Sequence, residues 1–155
     1  MADSPHDHDR QAGYVAVMTT FGTALAATAA IGRLRGRRLP DSYSLPDLAL
    51  GAIATHKFAR LLTKDGVTTP LRAPFTEFEE NTGSGEVAES PRREPARHVV
   101  GELITCPFCI APWIASAYLA TLTLAPQAAR AWAAVFSMVA GADFLQHADA
   151  HVRTD

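Results

Sequence analysis

LITCPFCIAPWIASAYLATLTLAPQAA, from Leu103 to Ala129, is a run of twenty-seven residues without a charge. At 1.5 Å rise per residue, about 20 apolar residues cross the ~30 Å hydrocarbon core of a bilayer, so the run is long enough to span one. A second uncharged run, Gly13 to Gly32, has twenty residues and is rich in Ala and Thr. Its Gly22, Ala26 and Ala30 stand at i, i+4 and i+8, a spacing that lets helix backbones approach closely in lipid. An Ala-rich buried helix of a soluble protein is the competing reading of that segment. A third apolar run, Ala128 to Ala150, is interrupted by Arg130 near its start and Asp143 toward its end. The expectation is an all-α integral membrane protein with about three spans: Gly13 to Gly32, about Pro107 to Leu124, and Ala128 to Ala148 after a turn at Ala125-Pro126-Gln127.

The composition fits one domain of this kind. The chain has 155 residues, 48% of them hydrophobic and 19% charged, below the roughly 25% charged of soluble domains, with a net charge of -2. Wholesale disorder and a polyelectrolyte tail protein are excluded, and near-neutrality argues against a whole-protein nucleic-acid binder. The two Cys are three positions apart and cannot frame a disulfide-rich secreted scaffold. A mean hydropathy of +0.03 averages the apolar runs with a polar middle. Residues 1–12 read as a disordered polar tail with no signal-peptide pattern, residues 13–150 as a single helical membrane domain, and residues 151–155 as a short tail.

The polar middle has its own pattern. Arg33, Arg35, Arg37 and Arg38 lead into Leu39-Pro40-Asp41, a basic turn. Ser44 to Leu62 reads as a helix, with Ser44 as N-cap, Pro46 in the first turn and Asp47 complementing the positive helix end. His56, Lys57, Arg60 and Lys64 crowd its last turns, which points to an amphipathic surface or re-entrant helix rather than a span. Residues 63–100 then read as a long polar loop, rich in Pro and Glu and containing Gly83-Ser84-Gly85. Eleven of the fourteen Lys and Arg lie between Arg33 and Arg97, so the positive-inside rule expects that whole segment at the cytoplasmic face of a multi-pass bacterial inner-membrane protein.

The chemistry-bearing motif is Cys106-Pro107-Phe108-Cys109. A C-x-x-C pair opening a helix sets its first sulfur at the positive helix end, where the thiolate is favoured, and Pro107 suits the first helical position. Three readings stand: a structural thiol pair, dithiol redox chemistry with Cys106 and Cys109 as the catalytic residues, or half a zinc site completed by His98 or Glu102, or by a second chain. Val99 to Thr105 could pass for the strand before a glutaredoxin motif, but the Ala-rich helical hairpin that follows does not fit that fold. Asp143, His147 and His151 recur every fourth residue and share a helix face, either as a metal or proton site or as a solvated helix end. His56 and Arg60, one turn apart, could clamp a phosphate or lipid headgroup together with Asp65 and Arg72, or anchor the loop. No Walker loop, G-x-S-x-G, H-E-x-x-H or dinucleotide fingerprint occurs.

Thr55-His56-Lys57-Phe58-Ala59-Arg60-Leu61-Leu62, Lys64-Asp65-Gly66, Leu71-Arg72-Ala73-Pro74-Phe75 and Gly101 to Cys109 followed by Trp113 together resemble the bacterial family called domain of unknown function 1360. These are small membrane proteins, some named as sporulation-related. The resemblance covers roughly residues 47–122 and implies the fold, without an activity. Pro112 departs from the pattern and is expected to kink the span or delay its start. The combined expectation is a non-enzymatic scaffold or interaction module with a cytoplasmic-face site built from His56, Arg60, Asp65, Arg72, Cys106 and Cys109. A membrane-bound dithiol oxidoreductase and a zinc-stabilised dimer are the rivals. Expected partners are membrane lipid and another copy or another membrane protein, not nucleic acid. No cofactor is expected, zinc on Cys106, Cys109 and His98 being the exception the residues could accept.

Overall fold

The computed structural model describes residues 5–37 and 40–154. Its elements are α1 (Pro5–Leu34), α2 (Leu45–Thr63), a 3-10 turn (Gly66–Thr68), α3 (Thr69–Arg72), β1 (Thr76–Gly83), β2 (Glu86–Pro91), α4 (Pro95–Thr105), α5 (Pro107–Leu124) and α6 (Pro126–Thr154). Three of these are long and apolar enough to cross a membrane: Arg10–Leu34, Pro107–Leu124 and Pro126–Arg153, which agrees with the three expected spans. The all-α expectation is corrected by an antiparallel two-stranded sheet. The helix also begins at Pro5, inside the stretch read as a disordered tail, while residues 1–4, Arg38, Leu39 and Asp155 lie outside the described residues.

The contacts fix the direction of each long helix. Asp47, Leu50 and Lys57 of α2 meet Arg130, Ser137 and Asp143 of α6 in that order, so α2 and α6 run parallel. Tyr118 of α5 donates to the Asp47 carbonyl (2.9 Å), while His56 and Arg60 share a groove with Pro107 and Phe108, so α5 runs the other way. Along α1, Tyr14 meets Glu102, Phe21 meets Trp113 and Gly32 faces Leu124, parallel to α5. The helix α2 therefore packs along both α5 and α6. The helix expected along the membrane surface is thus packed lengthwise against two helices of membrane length, and the Arg33–Arg37 turn lies at the opposite end of the helices from the long polar segment. The 18 residues of α5 separate the two ends by about 27 Å.

Small residues fill the interior. Ala54 and Ala133 are fully buried and Ala129 nearly so, joined by Tyr118 and Leu122, with Trp132 and Phe136 packed against them. Phe58 meets Trp132 and Phe136 edge-on at 5.4 and 4.7 Å between ring centroids. Many bulky apolar residues of the long helices face outward: Met18, Leu34, Met138, Phe144 and Leu145 are all exposed. Along α1 and α5, Thr19, Thr20, Thr28, Thr121 and Thr123 turn their hydroxyls back onto carbonyls one turn earlier, which satisfies them without solvent. Pro112 sits inside α5, which starts at Pro107 as expected and is not delayed.

The segment read as a loop is built. Thr76 to Gly83 pairs with Glu86 to Pro91 across Gly83-Ser84-Gly85, whose φ values of +93°, +53° and +80° place three successive residues in the left-handed region. Backbone bonds tie the hairpin to the end of α2: Val87 N–H donates to the Lys64 carbonyl and Gly66 N–H to the Gly85 carbonyl, both at 2.8 Å. Val99 to Thr105 is part of α4, not a strand.

Candidate functional site

The polar end of the molecule is organised by Arg72, which is 2% exposed. Its guanidinium donates to the carbonyls of Leu62 (2.7 Å) and Asp65 (3.1 Å), to the Thr68 hydroxyl and to the Glu89 carboxylate, which is equally buried. One side chain thus clamps the end of α2, the 3-10 turn and β2. Among the described residues every buried side-chain nitrogen or oxygen has a partner.

Beside this clamp lies a recess lined by His56, Lys57 and Arg60 of α2, Asp65, Glu86 of β2, and Asp143 and His147 of α6. Lys57 reaches Asp143 at 2.7 Å and Asp65 at 3.9 Å, and Arg60 reaches Glu86 at 2.5 Å. Each cation faces a carboxylate from another element, so the recess is a set of paired charges rather than an open anion clamp. His56, Arg60 and Asp65, expected together from sequence, are together. Arg72 is not: it is turned into its own buried network and is absent from the recess. Asp143 is more than a solvated helix end, because it is held by Lys57.

Cys106 links α4 to α5 and serves as the N-cap of α5, its sulfur accepting the Cys109 N–H (3.2 Å). Cys106 and Cys109 are joined as a disulfide, Cα atoms 5.2 Å apart, and the intervening Phe108 is 87% exposed. Pro107 and Phe108 border a largely apolar groove between α2 and α5 whose lining also includes His56 and Arg60. His98 faces elsewhere, with Nδ1 3.0 Å from the Arg92 carbonyl and Nε2 3.3 Å from Glu102. Glu102 in turn accepts from Tyr14 (2.6 Å) and Arg10 (3.1 Å), tying α4 to α1. Among the described residues no three His, Cys, Asp or Glu gather as a metal site, so the set of Cys106, Cys109 and His98 is not assembled.

Sequence reasoning missed Glu86 and Glu89 as partners, because the many Glu of the segment look alike until a register selects two of them. It also missed the Asp47–Arg130 pair at the other end, where Arg130 holds both Asp47 oxygens at 2.9 Å and Ser44 donates to one of them. An arginine one turn into an apolar run was the available signal.

A family model described as protein of unknown function (DUF1360) matches residues 50–149, extending past the 47–122 stretch that carries the resemblance and into α6. Sporulation protein YjcA of Bacillus subtilis (strain 168) is 31% identical over 97 residues, covering 61% of this chain and 81% of the relative. No solved structure matches.

Proposed function

The chain belongs to the DUF1360 family of proteins of unknown function, and from that premise we propose that it is a multi-pass bacterial inner-membrane protein acting as a non-enzymatic interaction module. The observation that carries the membrane reading is the inside-out packing: Ala54, Ala129 and Ala133 inside, and Met18, Leu34, Met138, Phe144 and Leu145 outside on helices of membrane length. The helix α2 crosses with its neighbours. Its outward residues are Leu45, Leu48, Leu50 and Ile53, while Asp47 and Lys57 are paired to α6. The seven Lys and Arg from Lys57 to Arg97 support placing the hairpin end at the cytoplasmic face.

That face presents a hairpin held rigidly by the Arg72 clamp, with Glu77, Glu79 and Glu80 exposed along β1. A partner protein with a basic surface suits it, and the name of the Bacillus relative supports seeking that partner among proteins of spore formation. The test is photo-crosslinking in cells from a benzoylphenylalanine at position 79. We expect a discrete protein adduct that Glu77→Lys with Glu80→Lys abolishes and Cys106→Ser with Cys109→Ser leaves intact. An adduct indifferent to charge reversal contradicts the reading.

A second reading rests on the closed Cys106–Cys109 pair at the start of α5. In the reduced protein the Cys106 thiolate, stabilised by the Cys109 N–H and the helix end, attacks a substrate disulfide and releases one substrate thiolate. Cys109 then attacks the Cys106 sulfur of the mixed disulfide, releasing the second substrate thiolate and restoring the closed pair, a two-electron exchange. This reading expects a Cys106 thiol pKa well below the unperturbed ~8.5, measured by the pH dependence of alkylation in a Cys109→Ser background, together with loss of exchange in Cys106→Ser. An ordinary pKa without exchange leaves the pair structural.

A further inference from the structure

At the end opposite the hairpin, a cleft runs between α1 and α5, with Leu25, Ala29, Ala120 and Leu124 among its walls and a volume of about 510 Å³. That is the size of a small-molecule site, typically ~300–1,000 Å³. The hydroxyls of Thr28 and Thr123, which also line it, are spent on their own helices, which leaves Ser116 as the one further hydroxyl on the α1 and α5 walls and keeps them mostly apolar. Arg33, in the last turn of α1, and Arg37 and Tyr43, in the segment that follows it, complete the lining. Among the described residues Arg33, Arg35 and Arg37 form no ion pair, in contrast to Arg60, Arg72, Arg92, Arg130 and Arg153. Arg35 does not line the cleft.

An apolar trough ending in two uncompensated guanidinium groups selects an amphiphile with an anionic head. Guanidinium pairs phosphate through two parallel, charge-assisted hydrogen bonds, which an ammonium cannot do. From Leu25 to the end of α1 at Leu34 is about 14 Å, with Arg33 in the last turn and Arg37 just beyond it, so a chain lying in the trough leaves its head at the arginines. We propose that this cleft is a site for an acidic glycerophospholipid, one acyl chain lying between α1 and α5 and the phosphate held by Arg33 and Arg37. The site is remote from the hairpin recess and independent of what binds there. It does rest on the helices being lipid-embedded, which recovery of the chain only in detergent-extracted membranes establishes separately.

The test uses the full chain purified in dodecylmaltoside and titrated with dioleoyl phosphatidylglycerol or dioleoyl phosphatidylcholine under native mass spectrometry. The native chain should retain one phosphatidylglycerol at roughly tenfold lower concentration than phosphatidylcholine, a difference worth about 1.4 kcal/mol. Arg33→Gln and Arg37→Gln should each weaken the preference and together erase it, and Arg35→Gln, the same loss of one charge as either single variant, should keep it. Ala120→Trp, which fills the trough, should weaken both lipids; if it loses its helical circular dichroism, the arginine variants decide alone. Equal binding of the two lipids overturns the proposal. So does an Arg35→Gln effect as large as that of the pair, which would make the attraction diffuse, or a native dimer whose formation excludes lipid, which would make the occupant a second copy.

Discussion

Arg72 shows how residue type and residue role separate. In the sequence it is one basic residue near His56, Arg60 and Asp65, and chemistry alone offers it to an anionic ligand. In the fold it is buried with Glu89 and bonded to two carbonyls, because the register of the hairpin brings that glutamate onto it. Removing one member of a buried pair strands the other without water, at a cost of ~3–5 kcal/mol, whereas replacing both with apolar groups of similar size costs far less. Arg72→Ala should therefore lower thermal stability sharply and open residues 76–91 to protease, and Arg72→Met with Glu89→Leu should recover most of the loss. Equal stability of Arg72→Ala and the native chain contradicts the clamp. His56, Arg60 and Asp65 were legible because they are close in sequence; Glu86 and Glu89 were not, because only strand pairing selects them.

At the scale of elements, the apolar helices were readable from length and hydropathy, and the α5 boundaries from Pro107 and the break at Pro126. The hairpin was not. Its first strand, Thr76 to Gly83, is rich in Glu and almost wholly exposed, so it carries neither strand propensity nor apolar alternation. What makes it a strand is attachment: the Arg72 clamp, the bonds from Gly66 and Val87, and the close approach of α4. A Cβ on Gly101 would lie 2.7 Å from the Phe75 carbonyl oxygen and 2.9 Å from Pro91 Cβ. Gly101→Val should push α4 off the hairpin base and speed cleavage within residues 76–91, while the spectroscopic helix content is kept. Unchanged cleavage means that α4 does not support the hairpin. The packing of α2 was not legible because its basic residues read as headgroup anchors, whereas α6 supplies Asp143 to pair with Lys57 between the helices.

At the scale of the molecule, the packing of α2 along both α5 and α6 is what the proposed topology rests on. A surface helix would leave the Arg33–Arg37 turn and the hairpin on one face. A helix that crosses with its neighbours puts the hairpin, the Cys106–Cys109 turn and the end of α6 on one face and the arginine turn, with the cleft beside it, on the other. The most direct measurement is labelling by a membrane-impermeant maleimide in a Cys106→Ser, Cys109→Ser background carrying one reporter, Asp41→Cys or Ser84→Cys. Asp41→Cys should label in intact spheroplasts and Ser84→Cys only after lysis. Labelling of both reporters from the same side would contradict the crossing of α2 and the account built on it.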